Sequence, residues 1–317
     1  MSLKVAFQMD PIEGLGIGGD STFALMLSAQ ARGYQIWTYG ADQLSYEDGR
    51  VRAEARAVLQ VQRVVGDHFT LGAPETLDLG RDVDVVWMRQ DPPFDLGYIT
   101  ATHLLERLAG ETLVVNDPAS VRNAPEKLFV LDYARFMPPT LITRSLAETR
   151  AFQAKHGDIV VKPLHGNAGS AVFKIGADGS NLAALTELFG QVWREPFMVQ
   201  AFLKEVSGGD KRIVLVDGEV AGAINRLPGK GEIRSNLAAG GRAEATTLTE
   251  SELEICAALA PELKKRGLLF VGIDVIGGKW LTEINVTSPT GIVAIDASNG
   301  TDTAGMIWDA VEKRLAA

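Results

Sequence analysis

The first forty residues alternate apolar and polar stretches in a way that predicts three elements. Leu3 to Met9 is nearly all apolar and reads as a buried strand. Asp20-Ser21-Thr22 then caps a helix through Ala31, closed by Arg32-Gly33, and Tyr34–Tyr39 returns as a second strand. Strand, helix, strand predicts a parallel sheet. Further along, strands are expected at Asp84–Met88 and Leu113–Val115, with a helix over Thr100–Leu108 between them and a connecting helix starting at Asn116-Asp117-Pro118. Pro125 to Phe129 begins another helix, the Pro138-Pro139 pair breaks the chain, and Asp158–Pro163 and Ala171–Ile175 form two strands. Phe197–Phe202 is an apolar segment, and Ile213–Val216 and Glu219–Ile224 flank an Asp217-Gly218 hairpin turn. Thr249 and Glu252 make a capping box for a helix to Arg266, and Met306–Leu315 ends the series as a helix.

The stretch Leu268–Gly291 carries the most chemistry. It reads as two strands joined at Gly277-Gly278. Val271, Ile273 and Val275 face one way, Gly272 and Asp274 the other; on the return strand Glu283 and Asn285 share a face opposite Thr282, Ile284 and Val286. Asp274, Glu283 and Asn285 therefore gather on one side, an oxygen-only set that suits Mg²⁺ carrying substrate phosphates. An ordinary solvent-facing hairpin has the same alternation.

Two loops add candidates. Arg89-Gln90-Asp91-Pro92-Pro93-Phe94-Asp95 is a proline-stiffened segment at a strand's C-terminal end, where open α/β sheets place ligands; Arg89, Asp91 and Asp95 could hold an amine or a carboxylate, or be solvated charges. Lys162 ends a β-branched strand and leads into Gly166-Asn167-Ala168-Gly169, a pattern suited to cradling phosphate, or simply to a hairpin. The glycine-rich run Asn225–Ala243, with Arg226, Arg234 and Arg242, reads as a lid gripping carboxylates or phosphates, or as a disordered loop. Gly14-Leu15-Gly16-Ile17-Gly18-Gly19 formally matches a dinucleotide fingerprint. Pro11-Ile12-Glu13 separates it from its strand, however, and Asp20 would put a carboxylate where pyrophosphate belongs, so a substrate-edge or connecting loop is expected instead.

Composition narrows the classes. The chain has 317 residues, 46% of them hydrophobic, and a formal net charge of -9, which argues for more than one lobe and against a nucleic-acid footprint. One cysteine, Cys256, sits in a helical apolar pattern, and no run reaches about 18 apolar residues. A cytoplasmic location is expected.

DPPFD at 91–95, EKLF at 126–129, KPL at 162–164, GDKR at 209–212, NLAAGGR at 236–242 and LTEINVTSPTG at 281–291 together resemble bacterial glutathione synthetase of the ATP-grasp superfamily. The resemblance implies an α/β (α+β) fold: an N-terminal parallel-sheet domain over 1–122, then a two-lobed ATP-grasp domain over 123–317, with a lid lobe at about 123–200 and a catalytic lobe at about 201–317. It implies a homotetrameric ligase that uses Mg²⁺ (Mn²⁺ as an alternative) and ATP to join γ-glutamylcysteine to glycine through an acyl phosphate. Lys127, Lys162, Gly166, Asn167, Ala168, Gly169, Gln200, Ala201, Phe202 and Asp210 would meet ATP, and Asp274, Glu283 and Asn285 the metal. Arg89, Asp91, Arg212, Arg226, Arg234, Asn236, Gly240, Gly241 and Ser288 would meet the other substrates. Arg212, Arg226 and Arg234 would also steady the transition-state charge, with Asp210 beside them. His165 and Ala168, where relatives read KPLDGMGG, and Gln90 before DPPFD depart from the family pattern. Ligation of another acid and amine, or a nicotinamide-dependent oxidation at Gly14–Gly19, are the alternatives.

Overall fold

A computed structural model of the chain describes residues 2–316 apart from 167, 168, 230, 233, 238 and 239. Its fold is α/β, with strands gathered into three sheets. In chain order the first part comprises β1 (Lys4–Gln8), α1 (Ser21–Ala31), β2 (Gln35–Tyr39), β3 (Leu44–Glu47), β4 (Arg50–Val61), β5 (Phe69–Asp78), β6 (Val85–Met88), α2 (Leu96–Leu105), β7 (Leu113–Val115) and α3 (Pro118–Arg122). Strands β2, β1, β6 and β7 lie parallel, as the opening strand-helix-strand pattern predicts. The sheet is nonetheless mixed: β4 pairs antiparallel with β2, β3 and β5. α2 begins four residues before the expected Thr100, because the Asp95 carboxylate accepts from Tyr98 N and starts the helix there.

The middle of the chain holds α4 (Glu126–Phe129), β8 (Thr140–Thr143), α5 (Leu146–His156), β9 (Ile159–Pro163), β10 (Phe173–Ile175), α6 (Leu182–Val192) and β11 (Phe197–Ala201). Their antiparallel sheet, ordered β10-β9-β11-β8, has its own small core of Ile159, Val161, Ile175, Leu185, Phe189 and Val199. The last part holds β12 (Asp210–Val216), β13 (Glu219–Leu227), β14 (Arg242–Ala245), α7 (Glu250–Lys265), β15 (Phe270–Ile276), β16 (Trp280–Asn285), α8 (Ile292–Asn299) and α9 (Thr303–Leu315). Its sheet runs β14-β13-β12-β15-β16, all antiparallel. Thr249 and Glu252 form the expected capping box on α7, and Cys256 is buried within it, its thiol pushed up to about 12 by burial.

Two sets of contacts between the first and last parts stand out. The Asn116 side chain donates to the carbonyls of Phe270 (2.7 Å) and Val286 (2.8 Å) and accepts from Phe270 N (2.8 Å), stitching the end of β7 to the base of the β15–β16 hairpin. Behind the sheet, α9 packs on α1: Trp308 Nε1 donates to Leu25 O at 3.0 Å, its ring meets Trp87 edge-on, and Arg32 pairs with Asp309 and Glu312. No helix among the described residues is long and apolar enough to cross a membrane.

Candidate active site

The β15–β16 hairpin forms and pairs the two acids as expected, but a bulge after Asp274 breaks the strict alternation, and Thr282, expected on the opposite face, lines the first cleft beside Glu283. Gly277 and Gly278 both take positive φ (61° and 73°), which a tight hairpin turn requires, and Asp274 stands directly across from Glu283 with Asn285 opposite Gly272. Two clefts, each with about 890 Å³ of empty space, meet at this face. Glu283 lines both of them.

The first cleft lies between the middle sheet and the last one. Lys127, Lys162, Gly166, Gly169, Gln200, Ala201, Phe202, Asp210, Arg234, Asn236, Asp274 and Glu283 line it. Lys162, at the end of β9, and Lys127, on α4, approach Glu283 Oε1 at 3.3 and 3.6 Å. Burial resists ionisation of Glu283, but the two ammonium charges outweigh it and hold its carboxyl below the ordinary range. Lys162 is buried, and that burial lowers its pKa against the pull of Glu283. Gln200 Nε2 donates to Thr140 Oγ1 at 3.0 Å, fixing the side chain on the cleft wall. Asn167 and Ala168 lie outside the described residues.

The second cleft is lined by Asp91, Glu126, Arg212, Arg226, Asn236, Asn285 and Ser288, among others. Arg212 forks onto Asp274 (2.6 and 3.0 Å), and Arg226 forks onto Asp210 (2.7 and 2.9 Å) while also reaching Asp274 at 2.9 Å. Burial alone would keep the Asp274 proton on; the two guanidinium groups overcome it and push its carboxyl well below the carboxylate range. Asp210 goes the other way, raised by burial that Arg226 only partly offsets. Ser288 Oγ donates to Gln90 O at 2.7 Å, which ties the second cleft to the proline-rich loop.

The structure does not bring every candidate to a cleft wall. Arg89 is buried away from both; its Nε and Nη2 donate to Thr22 Oγ1 (2.9 Å) and Pro289 O (3.0 Å), and its Nη1 has no partner among the described residues. Arg234 lines the first cleft and not the second with Arg212 and Arg226; it is half-exposed and pairs with Glu232 at 3.2 Å. Gly240 and Gly241 line neither cleft, but Gly241 is packed so closely that a Cβ there would lie 2.0 Å from the Ser235 carbonyl oxygen. At Gly14–Gly19 the anion position is taken: the Asp20 carboxylate itself accepts from Phe23 N at the start of α1. No nucleotide phosphate can share that position without meeting a like charge.

Several lining residues escaped the sequence reading. Val160, Val172, Leu203, Val206 and Ile276 form the apolar wall of the first cleft, and apolar strand residues carry no signal separating a cleft wall from core. Glu126 lines the second cleft beside Thr287; its position next to Lys127 was the available clue. His165, a departure from the family pattern, stacks its ring on Phe94 with centroids 5.8 Å apart.

The residues fit a hard cation. Glu283 faces Asp274, whose two oxygens are held by Arg212 and Arg226 and would have to be shared with a cation, and Asn285 Nδ2 is committed to Gly272 O at 3.2 Å, leaving its Oδ1 to ligate. Among the described residues no three of His, Cys, Asp and Glu cluster, so the oxygen set here is two carboxylates and the Asn285 amide.

Two family models match the chain. The prokaryotic glutathione synthetase N-terminal domain matches residues 3–122, and the prokaryotic glutathione synthetase ATP-grasp domain matches residues 126–300. The glutathione synthetase of Rhodopseudomonas palustris is 57% identical over 316 residues, covering 100% of both chains. That of Agrobacterium fabrum is 53% identical, covering 98% of this chain and 97% of its own. Among solved structures, D-cycloserine synthetase DcsG shares the fold with a TM-score of 0.70 at 18% identity, over 98% of this chain and 99% of that one.

Proposed function

Because the chain belongs to the prokaryotic glutathione synthetases, ATP-dependent ligases that form glutathione, we propose a division of labour between its two clefts. The first takes ATP, with the base against Gln200, Ala201 and Phe202 and the phosphates toward Lys127 and Lys162. The second takes γ-glutamylcysteine and glycine beside Arg212, Arg226 and Ser288. Glu283 carries this reading, because a carboxylate that lines both clefts stands where a phosphoryl group must pass from one to the other. Residues 1–122 would then form the N-terminal substrate domain and 123–317 the ATP-grasp domain, acting in the cytoplasm as a homotetramer.

A carboxylate is a poor electrophile, so it must be activated before an amine can displace anything from it. The cysteinyl carboxylate attacks the γ-phosphate, giving an acyl phosphate and ADP; glycine's amine then expels phosphate through a tetrahedral intermediate. Lys127 and Lys162 spread the charge that grows on the transferred oxygens. Arg212 and Arg226, already oriented by Asp274 and Asp210, offer their remaining N–H groups to substrate carboxylates. Asp274, Glu283 and Asn285 would hold Mg²⁺, which when bound supplies Lewis-acid neutralisation of the phosphate oxygens. Ser170, Arg234 and Asn236 line the first cleft and would help keep water from the acyl phosphate when it is closed.

The test is ADP release by the purified protein with Mg-ATP, γ-glutamylcysteine and glycine, omitting each in turn. Turnover that needs all three and yields glutathione supports the assignment. Equal ADP release without γ-glutamylcysteine would remove it.

A further inference from the structure

Five carboxylates line the two clefts: Asp91, Glu126, Asp210, Asp274 and Glu283. Asp210 and Asp274 are neutralised by Arg212 and Arg226, and Glu283 by Lys127 and Lys162. Among the described residues Asp91 and Glu126 have no ion-pair partner within 4.0 Å. Both lie in the second cleft, yet in different surroundings. Asp91 feels Arg89, Asp10 and Asp20, all on the N-terminal side. Glu126 feels Lys127, Glu283 and Arg212, the groups at the wall between the clefts.

Glu126 and Lys127 are consecutive on α4 but serve opposite sides, Lys127 lining only the first cleft and Glu126 the second. Among the described residues the one hydrogen bond to the Glu126 carboxylate comes from Thr287 Oγ1 at 3.0 Å, two residues beyond Asn285. An acid in this position has no ion pair within 4.0 Å among the described residues and sits in the second cleft next to the wall that Glu283 shares with the first. Burial raises its pKa, so an incoming cation would find a group that gains by being paired. The two amino groups brought by the substrates, one on the γ-glutamyl end and one on glycine, match the two unpaired acids in number.

We propose that Glu126 is the positioning residue for the amino group of the acceptor amino acid, holding it at the wall between the clefts and facing the acyl phosphate. Asp91, on the far side, is left for the γ-glutamyl amino group. This rests on the acyl-phosphate reading given above.

Hydroxylamine separates the two ideas, because it is a neutral nucleophile near pH 7 and needs no carboxylate to hold it. With Mg-ATP and γ-glutamylcysteine, wild type should form an acyl hydroxamate in place of glutathione. Glu126→Gln should raise KM for glycine by about tenfold to a hundredfold while hydroxamate formation stays within about twofold of wild type, as expected for loss of a charge-assisted contact. Glu126→Asp should recover part of the glycine affinity. An unchanged KM for glycine in Glu126→Gln overturns the inference, as does an equal loss of glycine and hydroxylamine reactions, or a glycine defect carried by Asp91→Asn instead. If wild type makes glutathione but no hydroxamate, the acyl-phosphate reading fails rather than the role of one side chain.

Discussion

Glu283 is held by two ammonium groups, faces Asp274 across the hairpin and touches both clefts. Glu283→Gln keeps the size of the side chain but removes the charge that Lys127 and Lys162 oppose. Turnover should fall by on the order of 100-fold or more, with the loss in kcat and not recovered by raising Mg²⁺, measured as ADP release. Full activity at limiting Mg²⁺ would remove Glu283 from the metal set. Glu126 makes a prediction of opposite sign about stability. Its carboxyl is raised in the folded chain by burial, so the fold pays for its ionisation above the folded pKa, and that cost vanishes as pH falls below the unfolded value. Glu126→Gln should therefore melt at the same temperature as wild type or higher at pH 8, by differential scanning calorimetry; a marked fall would mean the carboxylate is already paired. The hairpin acids were readable because alternation sets which side chains share a face, whereas Thr282 was misplaced because a bulge between Asp274 and Val275 gives no signal in the alternation. Glu126 was not readable, since a charged residue beside a lysine on a one-turn helix has no periodicity to betray it.

At the scale of elements, turns and caps were the most legible features. The Gly277-Gly278 turn, the Asp20 cap and the Thr249–Glu252 capping box all follow from local backbone chemistry. The two longest strands of the N-terminal sheet were not foreseen. β4 buries Val51, Ala53 and Ala55 between Arg52, Glu54 and Arg56, and alanine is too weak a hydrophobe for the alternation to stand out. The glycine-rich run around residues 225–243 reads in sequence as a lid or a disordered loop. Its start continues β13 to Leu227 and its end pairs as β14, so the two ends of the run are strand. Between them, Gly241 donates to Asn236 O at 3.1 Å with no room for a side chain. Gly241→Ala must displace Ser235 and Asn236 from the first cleft, so kcat should drop on the order of 100-fold. The melting temperature should fall too, but by less than a core cavity costs, because the displaced Ser235–Asn236 backbone belongs to no apolar cluster. A loss of stability as large as the loss of rate would show that the loop is structural rather than catalytic.

Across the whole molecule, stability and ligation share the same charges. Asp274 and Glu283 have depressed pKa values in the fold, so their stabilising contribution is complete above the unfolded carboxylate value near 4 and is lost as pH falls through the folded values. Wild type should lose melting temperature steadily on acidification below about pH 5, and Asp274→Asn, less stable at neutral pH, should show a shallower fall. An identical acid profile in the variant would mean that other carboxylates dominate. Mg-ATP at about 100 times its Kd should add ~2.7 kcal/mol of stability, and EDTA should abolish most of that gain if the metal sits between protein and phosphates. A gain unaffected by EDTA would place the nucleotide without the metal.

The packing of α9 onto α1 bears on how the protein is made. Translation delivers residues 1–122 long before Trp308, Ile307 and Val311 leave the ribosome, yet those side chains share one apolar cluster with Phe7, Leu25, Met26 and Trp87. A nascent N-terminal third therefore waits with a sticky helix uncovered while nearly two hundred further residues are synthesised. Its maturation is gated by the arrival of the last helix, and a fragment ending at Arg122 should clump or be captured by chaperones where the full chain stays dispersed.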